Sequence, residues 1–343
     1  MKKFLCLILT CLFSNVFLLG CNRDPYKIEK VDGYSIIKIR NRDAEGVALV
    51  GVDDSNLINN TLIVPEKIAG KTVLSLGCKK DSLWPVDYDE TTIPLEFNQK
   101  MQKIVINNAI TVLPWSLRYY TNTLKEIDLN YFLLGIQARP YVSEGLHGIS
   151  AYVASASTFL ELIRDSKQLK KIEIDVNRLT LLYSQDSTKL LFYKISNTTI
   201  ISDTFEKYTS LAAFIIPETV TEIDKNSFMN STVDIYARAE KEDIPDGMNN
   251  GWDNDLNVTY GFKDEIVVFD SFDGSPIVFE ETGKNYVVAQ KGQKIAPPEV
   301  PVKDGYKFEG WFTDYVYSKE WNFETDIVTD STLLIAKWTE NAG

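Results

Sequence analysis

The sequence predicts a mainly β fold: a solenoid with short strands on every turn, followed by a small β-grasp-like unit. Three observations predict it. An apolar pattern, Leu-x-x-Ile-x-Leu, recurs at near-constant spacing through the middle of the chain. After Phe262-Lys263-Asp264 that spacing stops, and short alternating runs separated by Gly and Pro turns take over. The composition is that of an ordinary folded chain, with 44% hydrophobic and 24% charged residues, which argues against wholesale disorder. The 343 residues carry 36 Lys+Arg against 48 Asp+Glu, a formal charge of −12. An acidic surface does not neutralise phosphates, so no nucleic-acid partner is expected. A single His excludes a paired-His zinc site.

The first element is a leader. Lys2 and Lys3 are followed by an almost unbroken apolar run from Phe4 to Leu19. The run is too short to span a bilayer comfortably and reads as a secretory signal over residues 1–20. Its end, Leu18-Leu19-Gly20-Cys21, resembles a bacterial lipobox. That resemblance implies cleavage before Cys21, diacylglycerol on its thiol and usually acylation of the freed amine. Two or three chains anchor stably where one is marginal, so the membrane is an expected partner through Cys21. Residues 21–33 read as a tether. Cleavage removes Cys6 and Cys11 and leaves Cys78 as the sole unmodified thiol, so no intramolecular disulfide is available. Cys78 follows Leu74, Leu76 and Gly77 and reads as a structural Cys at an apolar strand end rather than a nucleophile.

The repeat is clearest at Leu124-Lys125-Glu126-Ile127-Asp128-Leu129, at Leu169, Ile172 and Ile174, and at Leu211, Phe214 and Ile216. Copies begin at Met101, Leu124, Leu146, Leu169, Leu190, Leu211 and Thr232, at spacings of 23, 22, 23, 21, 21 and 21 residues. Each copy supplies one strand whose alternate residues point inward. One strand cannot bury its face alone, so stacking copies builds a continuous core and a parallel ladder. Val220 and Ile223 read as a second short inward strand, and Phe228 as the core filler where the coil turns. Ile110 and Leu113 hold the equivalent places after Met101.

The run LAAFIIPETVTEIDKNSF resembles the BspA-like leucine-rich repeat also found in treponemal surface proteins. LIVPEKIAGKTVLSLG resembles the opening turn of such arrays, and Ile235 to Gly261 resembles the closing cap, with Trp252 and Tyr260 as its aromatics. The resemblance implies a leucine-rich-repeat solenoid with caps over 34–262. Residues 78–100, 130–145 and 177–189 depart from the repeat pattern and are expected to be irregular.

For the last unit, 264–339, strands are expected at Glu265 to Phe269, Asn285 to Gln290, around Phe308 and at Thr332 to Trp338. Pro297, Pro298 and Pro301 stiffen a crossing between them. Gly305, Tyr306, Phe308, Gly310, Trp311, Thr313 and Asp314, then Trp321, Phe323, Leu333, Ala336 and Trp338, closely resemble the Listeria–Bacteroides repeat of the internalin B-repeat family. That resemblance implies a β-grasp-like fold used in bacterial surface proteins. The aromatics read as core filling rather than as a sugar-stacking site.

No residue pattern for turnover stands out. CxxC, HExxH, G-x-S-x-G and phosphate-loop motifs are missing, and His147 has no visible Ser or Cys partner. Asp253-Asn254-Asp255 lacks the spaced ligands of a calcium loop and reads as cap structure. No enzyme activity, metal or cofactor is expected. What remains is recognition. In the repeat register the outward line is Val105, Asp128, Ser150, Glu173, Lys194, Ile215 and Tyr236. Asp128, Glu173, Lys194, Ile215 and Tyr236 are the candidate binding residues for a protein ligand. Ile215 and Tyr236, beside Ala212 and Ala213, suggest a contact patch, or a site shielded by the cap or the C-terminal unit. The family resemblance implies a lipid-anchored surface protein, displayed on the cell envelope, that adheres to host matrix proteins or other bacteria. The alternatives are a glycan-binding lipoprotein and a structural envelope spacer.

Overall fold

A computed structural model describes residues 27–40, 45–79, 92–93, 98–106, 110, 124–133, 148–153, 168–175, 178–180, 187–202 and 204–341. The leader, Cys21, Leu113 and His147 lie outside the described residues.

The repeat positions stack in register. A six-stranded parallel sheet is built from Thr61–Ile63, Lys103–Ile106, Glu126–Leu133, Gly148–Val153, Lys171–Asp175 and Phe192–Ser196. Ile104 pairs with Ile127, Ile127 with Ile149, Ile149 with Ile172 and Ile172 with Tyr193. The ladder continues as a second parallel sheet of Ala213–Ile216, Asp234–Ala237 and Val258–Thr259, where Phe214 meets Ile235 and Ile235 meets Val258. The fold is a solenoid because the spacing returns the chain to the same face each time and one-sided strands need neighbours.

The return side of each coil forms a second parallel ladder of Arg178–Thr180, Ile200–Ser202 and Glu222–Ile223. Ile201 and Ile223 are fully buried on it. Val220 is buried in the turn just before that ladder, where its N–H donates to the Pro217 carbonyl. Phe228 fills the corner, stacked on Phe205 at 4.8 Å and edge-on to Phe214 at 5.3 Å, with Trp252 closing the row at 5.6 Å. Each fully buried ring or branched side chain contributes about 1.5–3 kcal/mol. One core runs from Ile36 to Trp252.

The N-terminal end differs from the expected tether. Glu29–Val31 pairs with Tyr34–Arg40, which pairs with Glu45–Val52, so the residues just before 34 belong to an antiparallel sheet. Glu45–Val52 then runs parallel to Lys71–Leu76, which also pairs with Lys67–Ile68. Cys78 lies in a short strand, Cys78–Lys79, paired with Thr92–Ile93.

The chain leaves the ladder through Gly261, whose φ of +65° is a left-handed conformation that strains any residue with a side chain. A four-stranded sheet follows in the order Tyr286–Ala289, Glu265–Asp270, Thr332–Glu340, Tyr306–Phe312. Its central pair is parallel and its outer pairs are antiparallel, a β-grasp-like arrangement. Every residue of Glu265–Asp270 is buried. Val267 and Phe269 face a core with Trp311, Trp321 and Leu334, so these aromatics fill the interior. Ile266 and Val268 face the other way, with Tyr286, Leu333 and Ile335.

Candidate functional site

Strand alternation leaves two outward columns on the ladder. One holds Lys103, Glu126, Gly148, Lys171 and Phe192; the other holds Val105, Asp128, Ser150, Glu173 and Lys194. In the second sheet they continue as Ala213 and Asp234, and as Ile215 and Tyr236. The register thus lines up Asp128, Glu173 and Lys194, and sets Ile215 beside Tyr236.

The C-terminal sheet lies over these columns. Its inner face forms one apolar cluster with Phe192, Ala212, Ala213 and Phe262, against which Ile215 and Tyr236 pack. The patch marked by Ile215 and Tyr236 is therefore covered by the chain itself. The Tyr236 ring sits 4.4 Å from that of Phe262.

Polar contacts fix the register of the two layers. The Tyr286 hydroxyl donates to Asp234 at 2.7 Å. A hydroxyl has one proton, so the 2.8 Å contact between the two tyrosine oxygens has Tyr236 donating to Tyr286. Burial pushes both hydroxyls up in pKa, Tyr286 further because its proton faces a carboxylate. Lys284 pairs with Asp234 at 2.9 Å and donates to the Ala212 and Thr232 carbonyls.

Arg238 ends this side of the contact. It donates to the carbonyls of Phe262 and Asp264 and pairs with Glu265 at 2.9 Å. Glu265 is only 5% exposed and also accepts from the Ser331 hydroxyl at 2.7 Å. Removing one partner of a carboxylate so enclosed is strongly destabilising, because it leaves a buried charge uncompensated.

Toward the start of the ladder, the Tyr315 N–H donates to Glu126 at 2.7 Å. Its hydroxyl donates to Asp270 at 3.0 Å, and Lys170 holds the same carboxylate at 3.1 Å. Burial and then the Asp270 charge hold the Tyr315 hydroxyl well above its ordinary pKa. Lys103 pairs with Glu126 at 3.1 Å; burial opposes its charge, but Glu126 and Asp314 outweigh it and raise the ammonium pKa. Burial raises the Asp128 carboxyl, with Lys103 pulling the other way. Glu173 pairs with Lys171 at 3.1 Å, and Lys194 with Asp330.

Between the layers lies a cleft of about 290 Å³. Phe192, Ala213 and Ile215 line it from the ladder, and Ile266 and Val268 from the sheet, with Lys194 and Asp330 on its polar side. Its volume is at the small end of ligand pockets, roughly 300–1,000 Å³. Among the described residues no group of three or more His, Cys, Asp or Glu is placed to hold a metal ion. In the cap, Asp253 accepts from the Tyr260 hydroxyl at 2.7 Å and pairs with Lys241.

The sequence reading named one outward column and missed the other, two residues earlier in each strand. Lys103, Glu126, Arg238, Glu265, Asp270 and Tyr315 make many of the contacts. Two signals pointed to them. Phe192 and Ala213 are apolar at outward positions, and Glu265 and Asp270 bracket an apolar run with no polar face of its own.

Comparison with known proteins bears on the same region. Residues 266–337 match the Listeria-Bacteroides repeat domain family. Two relatives from Evansella cellulosilytica, each named provisionally, are a membrane protein, 35% identical over 68 residues, and a Gly-rich membrane protein, 36% identical over 86 residues. These matches cover 19% and 25% of this chain but 10% and 9% of the relatives, so the chain spans about a tenth of the length of the curated relatives it matches. Among solved structures, it is similar to a leucine-rich cell surface protein from Faecalibacterium prausnitzii, at 15% identity and a TM-score of 0.24, over 62% of this chain and 54% of that one. It is also similar to a leucine-rich repeat protein from Bacteroides ovatus, at 13% identity and a TM-score of 0.21, over 70% and 72% of the two chains.

Proposed function

We propose that this chain is a lipid-anchored protein of the bacterial cell surface that recognises other proteins without covalent chemistry. The observation that carries the reading is the in-register ladder from Thr61 to Thr259, an architecture that gives a chain long continuous surfaces rather than a deep reaction chamber. The repeat domain matched at 266–337 is consistent with it, as are the relatives named as membrane proteins. The Leu18-Leu19-Gly20-Cys21 sequence supports anchoring at Cys21. Because the C-terminal sheet covers Ile215 and Tyr236, recognition falls to surfaces outside that contact, or to the ladder once the sheet has lifted.

The test is protease shaving of intact cells with mass spectrometry of the released peptides, alongside a Cys21→Ala strain. Release of peptides from Met101 to Trp338, and loss of the variant to the soluble fraction, are the expected results. Protection of the whole chain until lysis contradicts display, and an unchanged membrane fraction contradicts the anchor.

A further inference from the structure

The strand Tyr286–Ala289 is paired on one side only, to Glu265–Asp270. Phe269 donates to the Asn285 carbonyl at 2.8 Å, so the antiparallel alternation turns residues 285, 287 and 289 toward that neighbour. Tyr286 and Val288 therefore point their backbone groups out of the sheet. The Tyr286 carbonyl accepts from the Thr282 hydroxyl at 2.8 Å. Among the described residues Val288 has no such partner, and its side chain is 42% exposed. Lysines and prolines commonly blunt such edges, and neither stands within Tyr286–Ala289.

Beside this edge runs a groove of about 990 Å³, bounded by residues 276–282, 287–290 and 293–299. Its apolar side includes Val278, 65% exposed. Its charge is acidic: Glu280, Glu281 and Glu299 line it, all exposed and outside the ion pairs of the described residues. The lysine among its lining residues, Lys294, gives its ammonium to the Glu324 carbonyl.

We propose that this edge takes an extended, basic segment of a partner protein as an added strand. Its backbone bonds to Val288, alternate apolar side chains cover Val278 and Val288, and its Lys or Arg residues face the three glutamates. A second copy of this chain fits poorly, because pairing two such edges sets acidic groups against acidic groups. The inference deepens the protein-recognition reading and rests on it. It is measured on purified chain, so it can fail while cell-surface display holds, and the reverse.

The probe is a fluorescein-labelled peptide of about ten residues alternating Val and Lys, titrated with the full chain by anisotropy, with a Val-Glu peptide as comparison. Saturable binding of the Val-Lys peptide, weaker by about tenfold or more for Val-Glu, is expected. Val288→Pro removes only an outward N–H, a change that edge strands tolerate, and it lowers affinity about tenfold with an unchanged circular dichroism spectrum. The triple variant Glu280→Lys, Glu281→Lys, Glu299→Lys has the same effect on binding and keeps the edge intact. The proposal is overturned if there is no saturable binding, or if affinity is indifferent to both variants. Self-association of the chain that Val288→Pro abolishes also overturns it, in favour of a second copy.

Discussion

The ladder and the C-terminal sheet solve the burial problem differently. In the ladder, Lys103–Ile106 alternates half-buried and buried residues, because one face meets the solenoid core and the other looks outward. In the C-terminal sheet, Glu265–Asp270 is buried at every position. A strand apolar on both faces needs two covers. One comes from within, where Trp311, Trp321 and Val328 close over Val267 and Phe269. The other is the ladder itself, where Phe192, Ala212 and Ala213 meet Ile266, Val268 and Leu333. The solenoid thus stands on its own stacking, while the sheet depends on the solenoid for half of its interior.

The largest expected effect comes from breaking the independent partner. Phe214→Ala opens the aromatic row formed with Phe205 and Phe228 and is expected to cost about 3–5 kcal/mol. Denaturant unfolding followed by tryptophan fluorescence should then show the sheet released together with the ladder, not after it. Next comes Arg238→Ala, which strips Glu265 of its counter-charge and is expected to cost about 2–4 kcal/mol. Adding Glu265→Gln should recover a large part of that, because the buried charge is then gone. A double variant no more stable than Arg238→Ala alone would remove the ion pair from the account.

Much of the ladder was legible in the sequence and its cover was not, for a physical reason. Ile104, Ile127, Ile149, Ile172 and Tyr193 recur at steps of 21–23 residues, and a fixed step plus alternation determines both the stacking and the register. Contacts such as Glu126 to Tyr315 join residues 189 apart, and no local periodicity carries them. The trace they leave is indirect: Phe192 and Ala213 stand where a solvated column should be polar. The irregular stretches expected within 78–100, 130–145 and 177–189 lie largely outside the described residues.

Alkaline titration sharpens the comparison. Tyr286 and Tyr315, both in the contact, have folded-state pKa values raised above 10.0, and Tyr317 is pushed up to about 12, by burial first and then by Asp270 and Asp273. An acid whose pKa rises on folding favours the folded state while protonated. Stability is therefore present below the unfolded value of 10.0 and is lost as pH climbs through the folded values. Lys103 and Lys171, raised above 10.5 by their carboxylate neighbours, lose their contribution over the same rise. Thermal melts from about pH 9 to about pH 11.5 should show a falling midpoint. Tyr286→Phe and Tyr317→Phe should flatten the fall, since Phe does not ionise. The smallest effect is expected from Lys194→Ala, whose partner Asp330 is mostly exposed. It should cost about 0.2–1 kcal/mol, and less at high salt.

The central claim is that the C-terminal sheet rests on the ladder face. Zero-length carbodiimide coupling of the native chain, read by mass spectrometry, tests it directly, because it joins only amines and carboxylates already in contact. The account predicts bonds between Lys170 and Asp270, Lys194 and Asp330, and Lys284 and Asp234. Couplings confined to each region, such as Lys171 with Glu173 or Lys307 with Glu309, and none across, would contradict it.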